Sequence, residues 1–304
     1  MLRACLTHLL LAVIFSPLLL GVITKTKAFL TGRKGAPFLQ PYYDLGKLFH
    51  KGAVYSVATT WVFRVGPMIS LAAVLAASLF LPFGSLRAPM GFPGDVVLFV
   101  YLLALGRFFT VLAALDTGSS FEGMGASREV TFSTLSELTF FTTLVILAVI
   151  SKSFSLSGML GASQPLSWTT AGPILFLAAV SFFLVLLAEN ARIPFGDPNT
   201  HLELTMIHEV MVLDHSGPDL AFIFLGSSLK LFLFVSFLVS VLIPARTGRS
   251  GIAVFLGGVL GVAVVIGVVE SVMARLRLNR IPHLLTIAFA LSTFGLVVLL
   301  SRGI

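Results

Sequence analysis

Apolar runs of about 20 residues recur along the chain between short polar stretches, and each is long enough to cross a bilayer as a helix. Eight are predicted as membrane spans, over about 4–24, 65–83, 95–115, 133–151, 171–189, 219–243, 252–274 and 282–301, within one transmembrane domain covering 1–304. The expected fold class is an all-α polytopic membrane protein. The first run has a long apolar core and no clear Ala-x-Ala site after it, which favours a retained helix over a cleaved secretory signal.

The polar stretches carry patterns of their own. Residues 25–64 hold Lys25, Lys27, Arg33, Lys34, Lys47, Lys51 and Arg64 against one acid, Asp44. Within them Tyr42, Tyr43, Leu45, Leu48 and Phe49 alternate with Asp44, Lys47 and Lys51 at helical spacing, so a short amphipathic helix in the headgroup plane and a solvated basic loop are both open readings. Pro82, Gly84, Pro89, Gly91, Pro93 and Gly94 mark a turn between the second and third spans. Asp116 to Glu129, rich in Gly and Ser, reads as a long connection. Its Gly123-Met-Gly125-Ala-Ser-Arg128 lacks the third glycine and the Lys-Ser/Thr ending of nucleotide fingerprints and follows no strand.

Charge concentrates in residues 189–217, with Arg192, five acids and His201, His208 and His215. Pro194 and Pro198 interrupt the fifth span, and Thr200-His-Leu-Glu203 is a capping box for a new helix. On that helix Leu204, Ile207, Val210 and Met211 form an apolar side, and the three histidines, seven residues apart, form a polar row. Seven residues is about 10 Å along a helix, too far for two imidazoles to share a metal ion. After His208-Glu209 come Val210, Met211 and Val212, which breaks the zinc-protease pattern. Such a row suits proton passage, since imidazole titrates near neutral pH, and it equally suits an exposed helix that meets a partner.

Composition sharpens the picture. With 57% hydrophobic and 11% charged residues and a mean hydropathy of +1.03, the chain has too little polar surface to close a water-soluble globule. The net charge of +7 does not indicate nucleic-acid binding, because the basic residues lie between apolar runs, where they set topology. The first, third, fifth and seventh connections hold twelve Lys and Arg, the tails and even connections six, so the odd connections are expected in the cytoplasm and both termini outside. A single cysteine, Cys5, excludes an internal disulfide and any thiolate cage for zinc or an iron–sulfur cluster within the chain. No paired nucleophile and base is evident, so no catalytic, cofactor or metal residue is assigned.

Charges in hydrocarbon cost several kcal/mol unless paired or wetted, which makes each a functional candidate. Those on or near the spans are Arg107, Glu137, Glu189, Arg192, Lys230 and Glu270. Glu189 and Arg192, one turn apart, are also readable as a local ion pair closing the fifth helix, and Glu137 and Glu270 as ordinary helix-end residues. Lys230, with about ten apolar residues on each side, is the hardest of them to dismiss in this way. With His201, Glu203, His208, Glu209 and Asp214 these residues form the candidate proton path. Arg33, Lys34, Asp44, Lys47, Lys51, Arg128 and Glu129 are the candidate partner-docking residues.

The charged stretch, with the eight-span layout, resembles the membrane subunit that anchors the hydrophilic arm of respiratory complex I and of its hydrogenase relatives. The matching residues are Ala188, Glu189, Arg192, Pro194, Phe195, Glu203 and Ser216-Gly217. Gly196, Asn199-Thr-His201 and Asp214-His215 depart from the quinone-reducing pattern and resemble the group 4 energy-converting nickel–iron hydrogenase branch, formate hydrogenlyase included. Arg33 to Lys51 is similar to that family's first cytoplasmic loop and Gly125 to Glu129 to its third. The resemblance implies a subunit of the inner membrane, without cofactor or catalysis of its own, that couples electron transfer to movement of protons or sodium. The implied partners are hydrogenase large and small iron–sulfur subunits holding the NiFe centre and clusters, antiporter-like membrane subunits, and lipid. The alternatives are the quinone-site subunit of a complex I-like NADH:quinone oxidoreductase and a passive anchor. A stand-alone transporter would predict an internal repeat, and none is evident.

Overall fold

The computed structural model describes residues 2–160, 168–196, 206–243 and 248–302. Among them the regular elements are helices: α1 (Leu2–Leu30), α2 (Gln40–Phe49), α3 (Trp61–Ser78), α4 (Asp95–Asp116), α5 (Ser120–Ser151), α6 (Leu156–Leu160), α7 (Trp168–Glu189), α8 (Gly217–Leu242), α9 (Arg249–Val272) and α10 (Ile281–Ser301), with 3-10 turns at Glu209–Val212 and Leu278–Arg280. Eight of the helices are long and apolar enough to cross a membrane. Helices are the expected solution, because a backbone in hydrocarbon must satisfy its own N–H and C=O groups. Residues 40–49 form the amphipathic helix, so of the two readings of the basic connection the helical one holds.

α8 is the centre of the bundle. In its most apolar stretch 67% of residues are buried, against 28% in α9 and in α10. It packs on α1, α2, α3, α7 and α9, while α10 lies against α5 and α7. Phe140, Phe182, Phe234 and Phe237, with ring centroids 4.6–6.0 Å apart, fill the space between α5, α7 and α8. α3 and α4 approach closely over small residues. A Cβ on Gly66 would stand 3.0 Å from Ala113 Cβ and 3.2 Å from the Phe109 carbonyl, the small-residue contact that membrane helices use.

Several polar groups at the helix ends are held by specific partners. Asp116, closing α4, caps α3 by accepting from Thr60 N at 2.7 Å, Thr60 Oγ1 at 2.8 Å and Phe63 N at 3.2 Å. Buried Asp95 caps α6 through Leu156 N (2.7 Å) and Ser155 Oγ (2.9 Å). His8 stacks on Phe83 at 3.9 Å and its Nε2 lies 2.8 Å from the Leu81 carbonyl.

Two expectations are corrected. The Gly/Ser connection of residues 116–129 is helical from Ser120, so α5 has 32 residues and is about 48 Å long at roughly 1.5 Å per residue. Its small residues are there for packing: a Cβ on Gly125 would meet Val210 Cγ1 at 2.2 Å and the Ile207 carbonyl at 3.0 Å. The helix expected beyond Pro198 also does not run as drawn. Its capping box lies outside the described residues, and from Met206 to Ser216 the chain makes only the four-residue 3-10 turn. This segment buries Met206, Ile207, Val210 and Met211 against α5 and α4.

Candidate functional site

At mid-bundle four helices deliver charged groups to one place. Arg107 projects from α4, Ser136 and Glu137 from α5, Glu189 from the last turn of α7 and Lys230 from the middle of α8. Arg107 donates through Nη1 to Glu137 and through Nη2 to Glu189 Oε2 at 2.6 Å. Its Nε lies 3.9 Å from Glu129 Oε1 and has no hydrogen-bond partner among the described residues. Lys230 Nζ donates to Glu189 Oε2 and to the Glu189 carbonyl, each at 2.8 Å. Ser136 Oγ donates to Glu189 Oε1.

Glu189 is the hub. Its side chain is 4% exposed and both oxygens are occupied, and removal of its carboxylate would leave the Lys230 ammonium desolvated and unpaired. Beside it a small cavity of about 20 Å3 is lined by Glu129, Ser133, Ser136 and Glu189 on its polar wall and by Phe132 and Phe195 on its apolar one.

A second cluster joins α1, α9 and the turn after α7. Glu270 of α9, its side chain 1% exposed, sits between Lys27 Nζ, 2.9 Å from Oε2, and Arg192 Nη1, 3.4 Å from Oε1. The Lys27 contact is an ion pair without hydrogen-bond geometry, and Oε2 accepts none among the described residues. Glu189 and Arg192, readable as a local pair, therefore serve different clusters. The chain turns between them, with Ala191 at φ 48°, and sends Arg192 toward α9.

Of the expected path residues, the structure joins Glu189, Arg107, Glu137 and Lys230 in one network and Arg192 with Glu270 in another. His201 and Glu203 lie outside the described residues. His208 and Glu209 are half-buried and Asp214 is exposed, and no hydrogen bond joins their side chains to either cluster among the described residues. The histidine row is thus not assembled. His215 turns inward, stacks on Phe63 at 3.9 Å, and burial drives its pKa down to about 4.

Among the docking candidates, Arg33, Lys34, Asp44, Lys47 and Lys51 are exposed, while Arg128 donates to the Met206 carbonyl at 2.9 Å and Glu129 faces Arg107. Sequence reasoning missed Lys27, Ser136 and Glu122 as site residues. Glu122 is buried in the first turn of α5 and accepts from Asp214 N at 3.1 Å. Glu270, an acid in an apolar helix, signals the need for a cation without saying that Lys27 supplies it. Among the described residues no three His, Cys, Asp or Glu side chains are arranged to hold a metal ion.

Eight long apolar helices around a buried multi-helix ion-pair network define a polytopic membrane protein whose charges face one another. The NADH dehydrogenase family profile matches residues 3–300, and the chain belongs to that family. Hydrogenase-4 component C of Escherichia coli (strain K12) is 30% identical over 301 residues, covering 96% of this chain and 94% of that one. Formate hydrogenlyase subunit 4 of the same organism is 30% identical over 295 residues, 94% of each chain. An NADH-quinone oxidoreductase subunit of Syntrophotalea carbinolica is 29% identical over 255 residues, 80% of this chain and 76% of its own. A chain of the membrane-bound sulfane sulfur reductase, an archaeal respiratory membrane complex, shares the fold with a TM-score of 0.84 over 98% of both chains at 20% identity.

Proposed function

We propose that this chain is the membrane subunit of an energy-converting hydrogenase complex of the formate hydrogenlyase type. It docks a soluble redox arm and couples electron transfer to translocation of protons or sodium. The observation that carries this reading is the continuous contact Lys230–Glu189–Arg107–Glu137, which crosses α8, α7, α4 and α5 in the apolar part of the bundle. A passive anchor has no use for charges this expensive to bury, and a coupling element needs them. At nearly equal identity, the match to the two hydrogenase-type subunits covers 94–96% of this chain against 80% for the quinone-reducing relative, which supports that branch.

In this reading the subunit lies in the inner membrane with both termini outside. The NiFe centre and iron–sulfur clusters reside in partner subunits docked over α2, the start of α5 and the 206–216 segment. Antiporter-like membrane subunits stand beside it, and His201, Glu203, His208, Glu209 and Asp214 line the approach from the docked arm. This chain is not catalytic alone.

The test uses the native complex carrying E189Q/K230M, which removes the ion pair without stranding either partner. Hydrogen evolution should continue in the assembled complex while ion translocation into inverted vesicles is lost. Hydrogen evolution and translocation both at wild-type levels would leave the chain a mooring. Nickel in the purified complex, with activity insensitive to quinone-site inhibitors, separates this reading from the quinone one.

A further inference from the structure

The end of α1 carries basic residues that neither ion-pair cluster uses. Gly32, at φ 69°, closes the helix in a Schellman turn, its own N–H donating to the Phe29 carbonyl at 3.1 Å and that of Arg33 to Ala28 at 2.8 Å. Gly35, at φ 61°, folds the chain back over Ala28, and Lys25 Nζ donates to the Lys34 carbonyl at 2.8 Å. Lys25, Arg33 and Lys34 thereby line an open cleft of about 530 Å3 whose apolar wall is Phe29 and Pro37. No acid lines the cleft, and none of the three cations forms an ion pair with a described residue, whereas nearby Lys27 is engaged by Glu270. Phe29 is 82% exposed, and Phe38, 5.8 Å from the Lys25 ammonium, is 49% exposed.

The geometry points to this cleft as a binding site for the phosphate headgroup of an anionic glycerophospholipid from the surrounding bilayer. Three uncompensated cations held within one cleft repel one another, and a phosphodiester relieves that repulsion. The cleft stands where a membrane-spanning helix ends, the level at which headgroups lie, and basic pockets there select anionic lipids. Phe29 and Phe38 offer apolar surface beside the cations, which suits acyl chains attached to the phosphate and is not needed by an acidic protein surface. Arg33 and Lys34 are in this way reassigned from partner docking to the lipid.

The test compares the native complex with R33Q/K34Q and with K47Q/K51Q, a control that removes equal charge outside the cleft. Each is placed in phosphatidylcholine nanodiscs containing phosphatidylglycerol, and bound phosphatidylglycerol is counted by native mass spectrometry. R33Q/K34Q should lower its affinity roughly 30-fold, the factor expected for two basic residues facing an anionic lipid, with K47Q/K51Q unchanged. Equal retention by R33Q/K34Q overturns the site, and an equal loss in K47Q/K51Q reduces it to diffuse charge. Displacement of the lipid by millimolar inorganic phosphate would make a free anion the ligand. A photo-cross-linker at Phe29 should capture lipid in native membranes, and capture of a polypeptide instead would overturn the proposal.

Discussion

Replacing Glu189 by Gln takes from Lys230 its only carboxylate partner among the described residues. The ammonium lies 2.8 Å from Glu189 Oε2, with the Phe234 ring 5.9 Å away as its remaining electrostatic company besides the Glu189 carbonyl. At that separation an effective dielectric of about 20 gives roughly 6 kcal/mol of attraction. Much of this offsets the cost of taking two charges out of water, so removing one partner exposes that cost, about 3–5 kcal/mol. Arg107 loses a carboxylate too but is not left unpaired, because it keeps Glu137 and Glu129. Lys230→Met is milder, about 1–3 kcal/mol, since Glu189 still accepts from Arg107 and Ser136. The double variant contains no stranded ammonium and should be more stable than E189Q alone by about 2 kcal/mol or more, so its loss falls well below the sum of the two single losses. Equilibrium unfolding in mixed micelles by SDS titration, followed through Trp61 and Trp168, measures all four forms. A double variant whose loss equals the sum of the two single losses would refute the contact.

Glu270→Gln leaves Lys27 and Arg192 facing each other across a neutral amide. It should cost about 3–5 kcal/mol and raise hydrogen exchange over residues 190–196 and the last turns of α1, while unchanged exchange there counts against the pair. Gly125→Leu drives a side chain into Val210 and the Ile207 carbonyl, costing about 1–3 kcal/mol by overpacking. It should open residues 206–216 to limited proteolysis, and wild-type cleavage rates would contradict the packing. His215 is held neutral by burial, with a folded pKa of about 4 against 6.5 for a free imidazole. The unfolded state therefore binds the extra proton first, so stability is complete above pH ~6.5 and is lost as pH falls toward 4. His215→Phe keeps a ring against Phe63 and removes the titration; thermal unfolding from pH 7.5 to 4.5 should show the wild type losing stability relative to it, and parallel curves would dismiss the effect.

The spans were legible because a run long enough to cross a bilayer needs no tertiary information to be recognised. Lys230 was legible for the same reason, as a lone cation in an apolar helix has to be paired. Its partner was not. Glu189 invites pairing with Arg192, three residues on, and only the turn through Ala191, with the arrival of α4 and α8, reassigns both residues. Spacing misled in two other places. The glycines of 118–125 read as loop, yet Gly125 and Ala126 are small so that Val210 and Met211 can lie against α5. The seven-residue recurrence of histidines has meaning only on a continuous helix, and between His208 and His215 the chain is a 3-10 turn followed by an irregular link. Lys27 counted only toward topology, although its partner lies on α9, more than two hundred residues away.

Residues 190–196 bear on both clusters at once. The segment is a compact unit: Arg192 N donates to the Leu187 carbonyl at 2.8 Å, and Phe195 N and Gly196 N return to the Arg192 carbonyl at 2.8 and 3.1 Å. A Cβ on Gly196 would stand 2.8 Å from the Ala191 carbonyl, so the turn has no slack to absorb a push. Its two ends are anchored differently. Glu189 is held by Arg107 and Lys230, while Arg192 reaches Glu270 and the Pro194 carbonyl accepts from Leu276 N at 3.0 Å. A displacement of this segment would bear on both the Glu189–Lys230 and the Arg192–Glu270 pairs, which flank it. At such short distances a shift of about 1 Å alters each pair's attraction by roughly a quarter. Events at the turn would thus reach charged groups on α1, α4, α5, α8 and α9 without any group having to travel along the membrane.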